Sequence, residues 1–515
     1  MSGVPSARSS TAPPLPGCTP LFDAAAMREA DRRASEAHSM PSILLMERAG
    51  LATAQVVRAR FADHRAAWVL VGPGNNGGDG MVVARHLAEA GWSVRALAPG
   101  GREPAGADSE AMVAVAASLG IPVEALGDQR PPAGTLVVDA LLGTGARGLP
   151  RGPVAEAIDW LLGLDAPVVA VDIPSGIEAD TGACAGRCAR AALTVTYHGD
   201  MVGLAVTPGR DCAGEVVVAD IGIPSAVALE PAAWRAGAAV CGVLPARSAG
   251  ADKYAAGAVL VVAGSPGLTG AACLAARATL RAGAGLAVLA VPATVQAAVA
   301  GQSLEVMCAG LPDQDGHLAP VSVEEVLSQA GRVAAVAIGP GLGRAPATTA
   351  ALAQLLARLS QPVVLDADAL WHLAEDPGML AGRTPPTILT PHAGEAARLL
   401  GTDRQTVEAA RLRSARDLAV RFGAVVVLKG AGTITVGTEG PAVINDTGSS
   451  ALATAGTGDV LTGTVAALLA SGMEPLGAAA GAVALHGRAG DLAARGAGTI
   501  ASDVLEALPR ARSAA

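Results

Sequence analysis

The stretch TAGTGDVLTG, residues 454–463, decides the fold of the C-terminal half of the chain. Its glycines, Gly456 and Gly458, allow a tight turn in which the backbone approaches a ligand closely. Apolar residues then recur at helical spacing from Val460 to Leu468, which predicts a helix that begins near Gly458. The start of such a helix presents free N–H groups and the positive end of its dipole to an anion such as phosphate.

Asp459 places a carboxylate at this predicted anion site. A carboxylate repels phosphate, so its presence favours a chemical role, such as taking a proton from a hydroxyl that attacks phosphorus. The alternative is an ordinary first-turn aspartate, which interacts favourably with the helix dipole by about 0.3–1 kcal/mol. This stretch alone leaves both interpretations open.

Length and composition restrict the classes of protein to consider. A chain of 515 residues predicts two to four domains. Hydrophobic residues are 51% and aromatic residues 2%, so Ala, Val and Leu must build the core. The net charge of -9 argues against a nucleic-acid partner. The seven scattered cysteines form neither a disulfide framework nor a zinc motif, which indicates reduced thiols and a cytoplasmic protein.

Two segments resemble targeting or membrane signals only superficially. Residues 1–21 are rich in Ser, Pro and Ala and lack the apolar core of a signal peptide, so we predict a disordered tail. The apolar segment 258–300 is interrupted by Gly, Pro and Arg, and it predicts a buried strand, helix and strand. We therefore expect no membrane partner.

The N-terminal half contains a strand, a glycine loop and a helix in succession. Residues 68–71 predict a buried strand, GPGNNGGDG (72–80) follows, and residues 81–90 predict a helix. This order is typical of a nucleotide-phosphate site in a doubly wound sheet, although the loop is neither GxGxxG nor a Walker motif. The alternative is a turn rich in Asn and Gly because these residues tolerate left-handed backbone.

Polar side chains also stand at the ends of two further predicted strands. Asp139 lies near the end of one strand, and Asp172 and Ser175 follow another. Ligands of open α/β sheets bind beyond the carboxyl ends of the strands, so these residues should converge on the loop Asn75–Asp79. Their hard oxygen atoms suit an alkali or alkaline-earth cation better than zinc. For any one aspartate, a helix cap or turn is the alternative.

Five stretches of the N-terminal half carry a family resemblance: LMERAG (45–50), 72–80, VDALLGTG (138–145), VDIPSG (171–176) and ADIGIP (219–224). Through them, residues 22–230 resemble the NAD(P)H-hydrate epimerase domain, the YjeF N-terminal domain. The resemblance implies a Rossmann-like three-layer α/β/α sandwich, with Asp172 as the acid–base residue. It also implies a potassium ion bound by Asn76, Asp139 and Ser175. Met201 stands where the family usually has a lysine.

The same resemblance implies which residues bind the hydrated nicotinamide. They are Asn75, Asn76, Gly77, Gly78, Asp79, Gly143, Thr144, Gly145, Ala146, Arg147, Gly148, Leu149 and Asp172.

The C-terminal half repeats the pattern of strands followed by glycine loops, which predicts a second α/β domain with one cleft. We place a linker at 231–243, where no strand is evident, and this domain at 244–510. Lys429 precedes a glycine loop and is either a phosphate contact or a solvated lysine at a strand end. His392 lies in another loop, where a structural role is the alternative to ligand binding.

Three motifs in order, TPHAGE (390–395), KGAGT (429–433) and GTGD (456–459), resemble the YjeF C-terminal domain. This is the NAD(P)H-hydrate dehydratase of the ribokinase-like superfamily, also an α/β/α fold. The resemblance implies that Gly341, His392 and Asp459 face the hydrated cofactor, with Asp459 catalytic. The implied nucleotide-binding residues are Lys429, Gly430, Ala431, Gly432, Thr433 and Gly458. Ser449-Ser450 and Asp252 depart from the usual family pattern.

Together the halves resemble the bacterial bifunctional NAD(P)H-hydrate repair enzymes. The resemblance implies epimerisation of R and S hydrates and ADP-dependent dehydration of the S hydrate to NAD(P)H, AMP and phosphate. It implies potassium in the first domain, magnesium with ADP in the second, and we expect a homo-oligomer. The alternative is a vitamin or sugar kinase fused to a non-catalytic nucleotide-binding module. ADP against ATP, and NADH hydrate against NADPH hydrate, stay open.

Overall fold

The computed structural model describes residues 11–184, 186–247, 250 and 252–512, and it divides into two compact units. The first contains the chain up to residue 12 and residues 20–233. The second contains residues 13–19 and the chain from residue 234 onward. Each unit is an α/β structure built on its own sheet, as the sequence predicts.

The N-terminal unit is built on seven parallel strands in the order β4-β3-β2-β5-β6-β7-β8. Its elements follow β1 (Cys18–Leu21), which lies across the division, and are α1 (Ala24–His38), α2 (Ser42–Arg60), β2 (Ala66–Val71), α3 (Asn75–Glu89), β3 (Ser93–Ala98), α4 (Ala107–Ser118), β4 (Val123–Ala125), β5 (Thr135–Ala140), α5 (Gly152–Leu162), β6 (Val168–Val171), β7 (Leu193–Tyr197), α6 (Val202–Ala205), α7 (Gly209–Ala213) and β8 (Glu215–Ala219). The strand order reverses between β2 and β5, and ligands of such sheets bind at this reversal.

Both faces of this sheet are covered. Trp68 and Leu70 of β2 pack in one apolar cluster, where Trp68 stacks on Trp160 of α5 with ring centroids 6.3 Å apart. The alternate residues Val69 and Val71 pack in a second cluster with residues of α2 and α3. Because successive side chains of a strand point to opposite faces, the two clusters lie on opposite sides of the sheet. The predicted three-layer sandwich is therefore confirmed.

The larger sheet, that of the C-terminal unit, has strands in the order β1-β9-β18-β17-β16-β15-β14-β13-β10-β11-β12. Its elements are β9 (Ala233–Ala236), β10 (Ala258–Val262), α8 (Thr269–Arg281), β11 (Leu286–Pro292), α9 (Ala293–Ala300), β12 (Met307–Leu311), α10 (Val323–Ala330), β13 (Ala335–Ile338), α11 (Pro346–Arg358), β14 (Val363–Leu365), α12 (Asp368–Glu375), β15 (Thr387–Leu389), α13 (Ala393–Leu400), α14 (Arg404–Ala409), α15 (Arg411–Phe422), β16 (Val425–Leu428), β17 (Ile434–Val436), β18 (Ala442–Asn445), α16 (Thr457–Ala470), α17 (Pro475–Ala493) and α18 (Ala501–Arg512). In this sheet order, each neighbouring pair from β16 through β13 and β10 to β12 is parallel. Strand β17 pairs antiparallel with β16, and β18 pairs antiparallel with β17.

Helix α16 begins at Thr457, which confirms the helix predicted from the opening stretch. It packs against α8 at close range, because a Cβ on Gly463 would lie 2.1 Å from the carbonyl oxygen of Ala275. All its residues from Val460 to Ala470 are buried. The tight packing fixes the first turn of the helix, which carries Asp459.

Two predicted boundaries are wrong in part. Residues 1–10 of the predicted tail lie outside the described residues, but Leu15 is buried in the core of the C-terminal unit and residues 18–21 form β1. The predicted linker 231–243 contains β9 and a 3-10 helix, Ala238–Val243. Its alanines and glycine suggested a flexible segment, although Trp234 and Val240 are anchored in the interior.

The apolar segment 258–300 folds as β10, α8, β11 and α9, so the predicted strand, helix and strand are confirmed and a second helix follows them. Among the residues that the structure describes, no helix combines the length and apolar character needed to cross a membrane.

The buried residues of β9 and the following 3-10 helix predict where the C-terminal unit can be cut. A fragment 234–515 should unfold cooperatively, whereas a fragment 244–515 should melt at a clearly lower temperature. The shorter fragment loses Trp234, Val240 and Cys241, and each large buried side chain contributes about 1.5–3 kcal/mol. Circular dichroism melts of both fragments test this, and equal melting temperatures would show that residues 234–243 are only a linker.

Candidate active sites

A cavity of about 650 Å³ lies beyond the carboxyl ends of β2 and β5 in the N-terminal unit. It sits at the reversal of strand order, where the topology predicts a ligand. The predicted residues that line it are Asn75, Asn76, Asp79, Gly143, Thr144, Gly145, Ala146 and Asp172. The structure therefore brings the glycine loop, the loop after β5 and the end of β6 together around one space.

Asp172 is held in a defined orientation at the wall of this cavity. Its backbone has a positive φ of 70°, which is uncommon for a residue with a side chain. The backbone N–H of Thr144 donates to Asp172 Oδ2 over 2.8 Å. A Cβ on Gly143 would lie 2.8 Å from the same oxygen and 3.3 Å from Asn76 Cγ, so only glycine fits between them.

Three carboxyl groups of the cavity have raised pKa values. Burial raises the pKa of Asp172 to about 6, although the hydrogen bond from Thr144 opposes the rise. Burial and the nearby Asp172 raise the pKa of Asp31 to about 6. Burial, with Asp172 and Asp31, raises the pKa of Asp79 well above its ordinary value. Asp172 can therefore both give and take a proton near neutral pH.

Of the predicted cation ligands, the structure joins two directly. Ser175 Oγ donates to Asp139 Oδ1 over 2.6 Å, and the Ser175 N–H donates to Oδ2 over 2.9 Å. The third, Asn76, is buried, and among the residues that the structure describes neither its amide oxygen nor its amide nitrogen has a hydrogen-bond partner. A buried amide without a partner is unfavourable by about 1–3 kcal/mol, so the free oxygen of Asn76 fits a bound cation or substrate.

Several predicted residues of this site do not reach the cavity wall. Asp139 and Ser175 lie behind it, and Gly77 and Gly78 serve packing, since a Cβ on Gly77 would lie 2.1 Å from the carbonyl oxygen of Gly72. Gly148 and Leu149 do not line it, and Leu149 is exposed. Arg147 instead forms an ion pair with Asp180 at 2.6 Å, a partner that its position in the motif does not indicate.

Sequence reasoning missed other residues of the cavity wall, among them Asp31 and Met46 from the first two helices and Tyr197 and His198 after β7. His198 is buried, and within the described part of the chain its Nε2 has no hydrogen-bond partner. Met201, at the position of the usual lysine, is fully buried in an apolar cluster and does not line the cavity. No motif signalled Asp31, because it lies in an ordinary amphipathic helix.

In the C-terminal unit, a buried ion pair underlies the start of α16. Lys429 Nζ lies 2.7 Å from Asp366 Oδ1, and Thr462 Oγ1 donates to Asp366 Oδ2. Burial raises the pKa of Asp366, but the charge of Lys429 and these hydrogen bonds outweigh it and lower the pKa below its ordinary value. Asp366 is therefore an ionised anchor.

Asp459 lies in the first turn of α16, beside this pair, and is half-buried. Burial and the negative charge of Asp366 raise the pKa of Asp459 to about 7, against the attraction of Lys429. A Cβ on Gly458 would lie 3.5 Å from Lys429 Nζ, so the ammonium group stands next to the glycine turn. The turn thus carries a cation, free N–H groups and a carboxyl group that titrates near neutral pH.

His392 caps a helix as well as facing solvent. Its ring Nδ1 accepts hydrogen bonds from the backbone N–H groups of Gly394 and Glu395. The backbone N–H of His392 donates to Glu395 Oε2 over 2.8 Å. Glu395 lies 3.9 Å from Lys429, and burial raises its pKa to about 7. His392, Glu395 and Asp368 line a cavity of about 300 Å³.

The predicted nucleotide loop 429–433 is shaped by glycines and by one buried arginine. Gly430 and Gly432 have φ values of 143° and 60°. Arg411, whose side chain is 2% exposed, donates to the carbonyl oxygens of Leu428 and Lys429. Gly341 also has a positive φ, and a Cβ there would lie 2.4 Å from the carbonyl oxygen of Leu268, but Gly341 does not line the 300 Å³ cavity.

The composition of the chain already singles out Lys429. The chain has only two lysines, Lys253 and Lys429, among 37 basic residues. Asp366 and Asp368 also follow a buried strand, although the pairing of Asp366 with Lys429 depends on strand order. In the part of the chain that the structure describes, no group of three or more His, Cys, Asp or Glu side chains is arranged to hold a metal ion.

The buried pair predicts the stability of the C-terminal unit. Lys429→Met should lower its free energy of unfolding by about 3–5 kcal/mol, because it leaves the buried Asp366 carboxylate without its partner. Adding Asp366→Asn should recover much of this loss, since no uncompensated charge then remains. Urea denaturation measures both.

The matched control is Lys253→Met, which removes the other lysine from an exposed position. Equal losses in the two single lysine variants would contradict the ion pair as a structural anchor.

Comparison with known proteins matches both halves. Residues 42–203 match the family described as YjeF-related protein N-terminus, and residues 259–510 match NAD(P)H-hydrate dehydratase. A Moorella thermoacetica protein named bifunctional NAD(P)H-hydrate repair enzyme Nnr is 42% identical over 95% of this chain and 96% of its own length. The Escherichia coli protein of that name is 36% identical over 94% and 92%.

A solved Bacillus subtilis structure, titled ADP/ATP-dependent NAD(P)H-hydrate dehydratase, is 32% identical, covers 52% of this chain and 93% of its own, and has a TM-score of 0.43. Two relatives of the same name, from Moorella thermoacetica at 42% identity and from Salinibacter ruber at 40%, cover 95% and 96% of this chain. The chain belongs to the family of bifunctional NAD(P)H-hydrate repair enzymes.

Proposed function

We propose that the chain returns hydrated NADH and NADPH to use in two steps. The N-terminal unit interconverts the R and S hydrates. The C-terminal unit dehydrates the S hydrate with ADP and yields NAD(P)H, AMP and phosphate. One observation carries the proposal: each unit holds a carboxyl group whose pKa lies near neutrality, Asp172 just after β6 at about 6 and Asp459 in the first turn of α16 at about 7.

In the epimerase half, Asp172 is the acid–base residue. Its orientation, fixed by the Thr144 N–H, points one oxygen at the loop after β5. Asp172 gives a proton to the hydroxyl group as it leaves the ring and takes one from the water that returns to the other face. The positive ring that results lies beside Asp172, which is a carboxylate once it has given its proton, and this negative charge stabilises the ring.

Potassium would be held in this half by the oxygens of Asn76, Asp139 and Ser175. The donor set is hard oxygen, and the unpartnered Asn76 amide supports its fit. The ion would supply positive charge beside the bound hydrate. Asp139 keeps Ser175 in place, since both Ser175 donors bond to its carboxylate.

In the dehydratase half, Asp459 takes the proton from the substrate hydroxyl as that oxygen attacks the β-phosphorus of ADP. The hydroxyl leaves as phosphate, which is a far better leaving group than hydroxide, and the ring nitrogen supplies the electron pair that expels it. The neighbouring ring carbon then loses a proton to solvent, which forms the ring double bond of NAD(P)H. The N–H groups of the Gly456–Gly458 turn and the ammonium of Lys429 offset charge on the transferring phosphoryl group.

The loop Lys429–Thr433 would hold the nucleotide, with Arg411 keeping its backbone in place. Gly341 and His392 would border the hydrated cofactor. Magnesium would enter with the nucleotide phosphates, since Mg²⁺ typically needs only one or two protein carboxylates. Asp368 and Glu395, which both face the 300 Å³ cavity, have the oxygen atoms for this.

The alternative function is that of a vitamin or sugar kinase on the same fold. The product of the reaction distinguishes such a kinase from a repair enzyme. A kinase accumulates a stable phosphorylated compound. Repair releases free phosphate and restores the reduced-nicotinamide absorbance. Incubation with mixed NADH hydrates and either ADP or ATP, followed by both readouts, tests the proposal. A phosphorylated product without recovery of absorbance would overturn it.

The unpartnered amide predicts how the epimerase half responds to potassium. Asn76→Ala should raise the potassium concentration needed for half-maximal epimerisation and leave the melting temperature nearly unchanged, because none of the described residues hydrogen-bonds to this side chain. The measurement is a potassium titration at constant ionic strength with choline as the replacement cation.

Asn75→Ala, on the exposed side of the same turn, is the control: it also lines the cavity and can change the rate, but it should leave the half-saturating potassium concentration unchanged. Epimerisation that is equally fast in potassium-free buffer, in wild type and in Asn76→Ala alike, would contradict the cation assignment.

Asp459 provides the most direct test of the dehydratase chemistry. A general base contributes about 10²–10⁴-fold to rate, so Asp459→Asn should lower turnover of the S hydrate by at least two orders of magnitude. Nucleotide affinity should hold or improve, because a negative charge beside the phosphates is removed. Epimerisation should be unchanged.

Asp503→Asn is the matched control, since Asp503 also lies in the first turn of a helix of the same unit. A helix-dipole role alone predicts similar, small effects of both substitutions. Near-normal dehydration by Asp459→Asn would therefore rule out its role as the base.

The raised pKa of Asp459 also predicts a pH profile. The base acts when ionised, so kcat/KM for the S hydrate should rise with pH and level off above about 7. Rates measured from pH 5.5 to 8.5 with saturating nucleotide test this. A profile that is already level at pH 5.5 would show that Asp459 has an ordinary pKa.

A further inference from the structure

Three of the seven cysteines lie together in the N-terminal unit, outside the cavity described above. Cys188 precedes β7 and Cys212 lies in α7, and their sulfur atoms are 3.4 Å apart and share a hydrogen bond. Cys184 is a third thiol within hydrogen-bond reach of Cys188. The established repair activity uses none of them.

We propose that Cys188 and Cys212 are an oxidative modification site, a thiol pair that small-molecule disulfides convert reversibly into a disulfide bond. For its effect on the epimerase half, the inference rests on the proposed function. For the bond itself, it rests only on the geometry of the two sulfur atoms.

The geometry favours this pair over the other cysteines. A disulfide bond is 2.03–2.05 Å long, so the sulfur atoms need to approach by only about 1.4 Å. Cys188 is half-buried and accessible to a small oxidant, whereas Cys212 is 3% exposed and protected from direct attack. Cys188 can therefore react with the oxidant first, and Cys212 can then attack Cys188 to complete the disulfide bond.

The charges around the pair assist its ionisation. The hydrogen bond from Cys188, together with the positive charge of Arg190, lowers the pKa of Cys212 to about 7, against burial and Asp211. Cys188 keeps its proton, with a pKa raised by the same hydrogen bond and by burial. At neutral pH the pair therefore shares one proton, and either sulfur can hold the charge.

The reaction is two thiol–disulfide exchanges. Cys188 passes its proton to Cys212 and its thiolate attacks one sulfur of the oxidant, such as glutathione disulfide, which releases one glutathione thiolate. Cys212 then loses its proton to solvent, attacks Cys188 and releases the second glutathione. The pair loses two electrons and its one proton, and the two glutathione thiolates released take up that proton and a second one from solvent, so the oxidant ends as two thiols.

Oxidation should be felt at the proposed cation site through the neighbouring backbone. The Ala189 N–H donates to the carbonyl oxygen of Ser175 over 2.8 Å. A Cβ on Gly176 would lie 2.5 Å from the carbonyl oxygen of Arg187, so the two segments are in tight contact. Movement of Cys188 toward Cys212 thus pulls on Ser175, whose two donors hold Asp139, and should weaken potassium binding.

The test of the bond uses the full-length reduced protein and glutathione disulfide. The fully reduced protein has seven free thiols after denaturation. After oxidation and removal of glutathione, we expect two fewer, a cross-linked peptide pair joining Cys188 to Cys212, and full recovery with dithiothreitol. Seven remaining thiols, or a cross-link that involves Cys184 in place of Cys212, would overturn the proposal.

Three variants make this result specific. Cys188→Ser and Cys212→Ser should each abolish the cross-link, and either one suffices if the other does not fold. Cys184→Ser is the matched control and should cross-link as wild type does. A two-thiol loss that persists in Cys212→Ser would contradict the assignment.

The effect on the site is measured by potassium titration of epimerisation in the reduced and the oxidised protein. Oxidation should raise the half-saturating potassium concentration severalfold, and dehydration of pure S hydrate should be unchanged. Absence of epimerisation in the reduced protein would refute the proposed function. Normal, equal titrations in both forms would refute the coupling, and the thiol count reports on the bond independently of both.

Discussion

The ion pair between Lys429 and Asp366 is the interaction on which the C-terminal site depends. Asp366 is almost fully buried, and Lys429 with Thr462 supplies the partners that keep it ionised. Its negative charge, in turn, raises the pKa of Asp459 in the neighbouring turn. The pair thus holds the Lys429 ammonium group next to the glycine turn. It also raises the pKa of Asp459, the proposed base.

The N-terminal unit has a comparable arrangement of two carboxyl groups, although burial raises the pKa of its anchor, Asp139, whereas Lys429 lowers the pKa of Asp366. Asp139 is the buried anchor, satisfied by both donors of Ser175. Asp172, just after the end of the next strand, accepts fewer hydrogen bonds from the protein, and burial raises its pKa to about 6. In both units a satisfied carboxylate lies at a strand end and a less satisfied one nearby is free to exchange protons. The close packing at Gly143 and Gly463 holds these groups in place.

The sequence predicted most of this where local pattern and chemistry agree. Short-range patterns predict the α/β class, the start of helix α16 and the strand ends that carry Asp139 and Asp172. The strands 18–21 and 233–236 were missed because their short, small-residue sequences resemble loops, and long-range pairing decides their structure. Arg147 was placed in the cavity on its motif, whereas Asp180, distant in sequence, determines where it points. Asp31 and the Lys429–Asp366 pair depend on packing between distant segments.

The central claim is that one chain carries two separate acid–base sites that act in series. The most direct measurement follows recovery of reduced-nicotinamide absorbance from an equal mixture of R and S hydrates with ADP. Asp172→Asn should rapidly restore only the S portion, and Asp459→Asn should restore almost nothing. The two variants mixed together should restore the whole. Failure of the mixture to restore the R portion, or rapid full recovery by Asp172→Asn alone, would contradict the account.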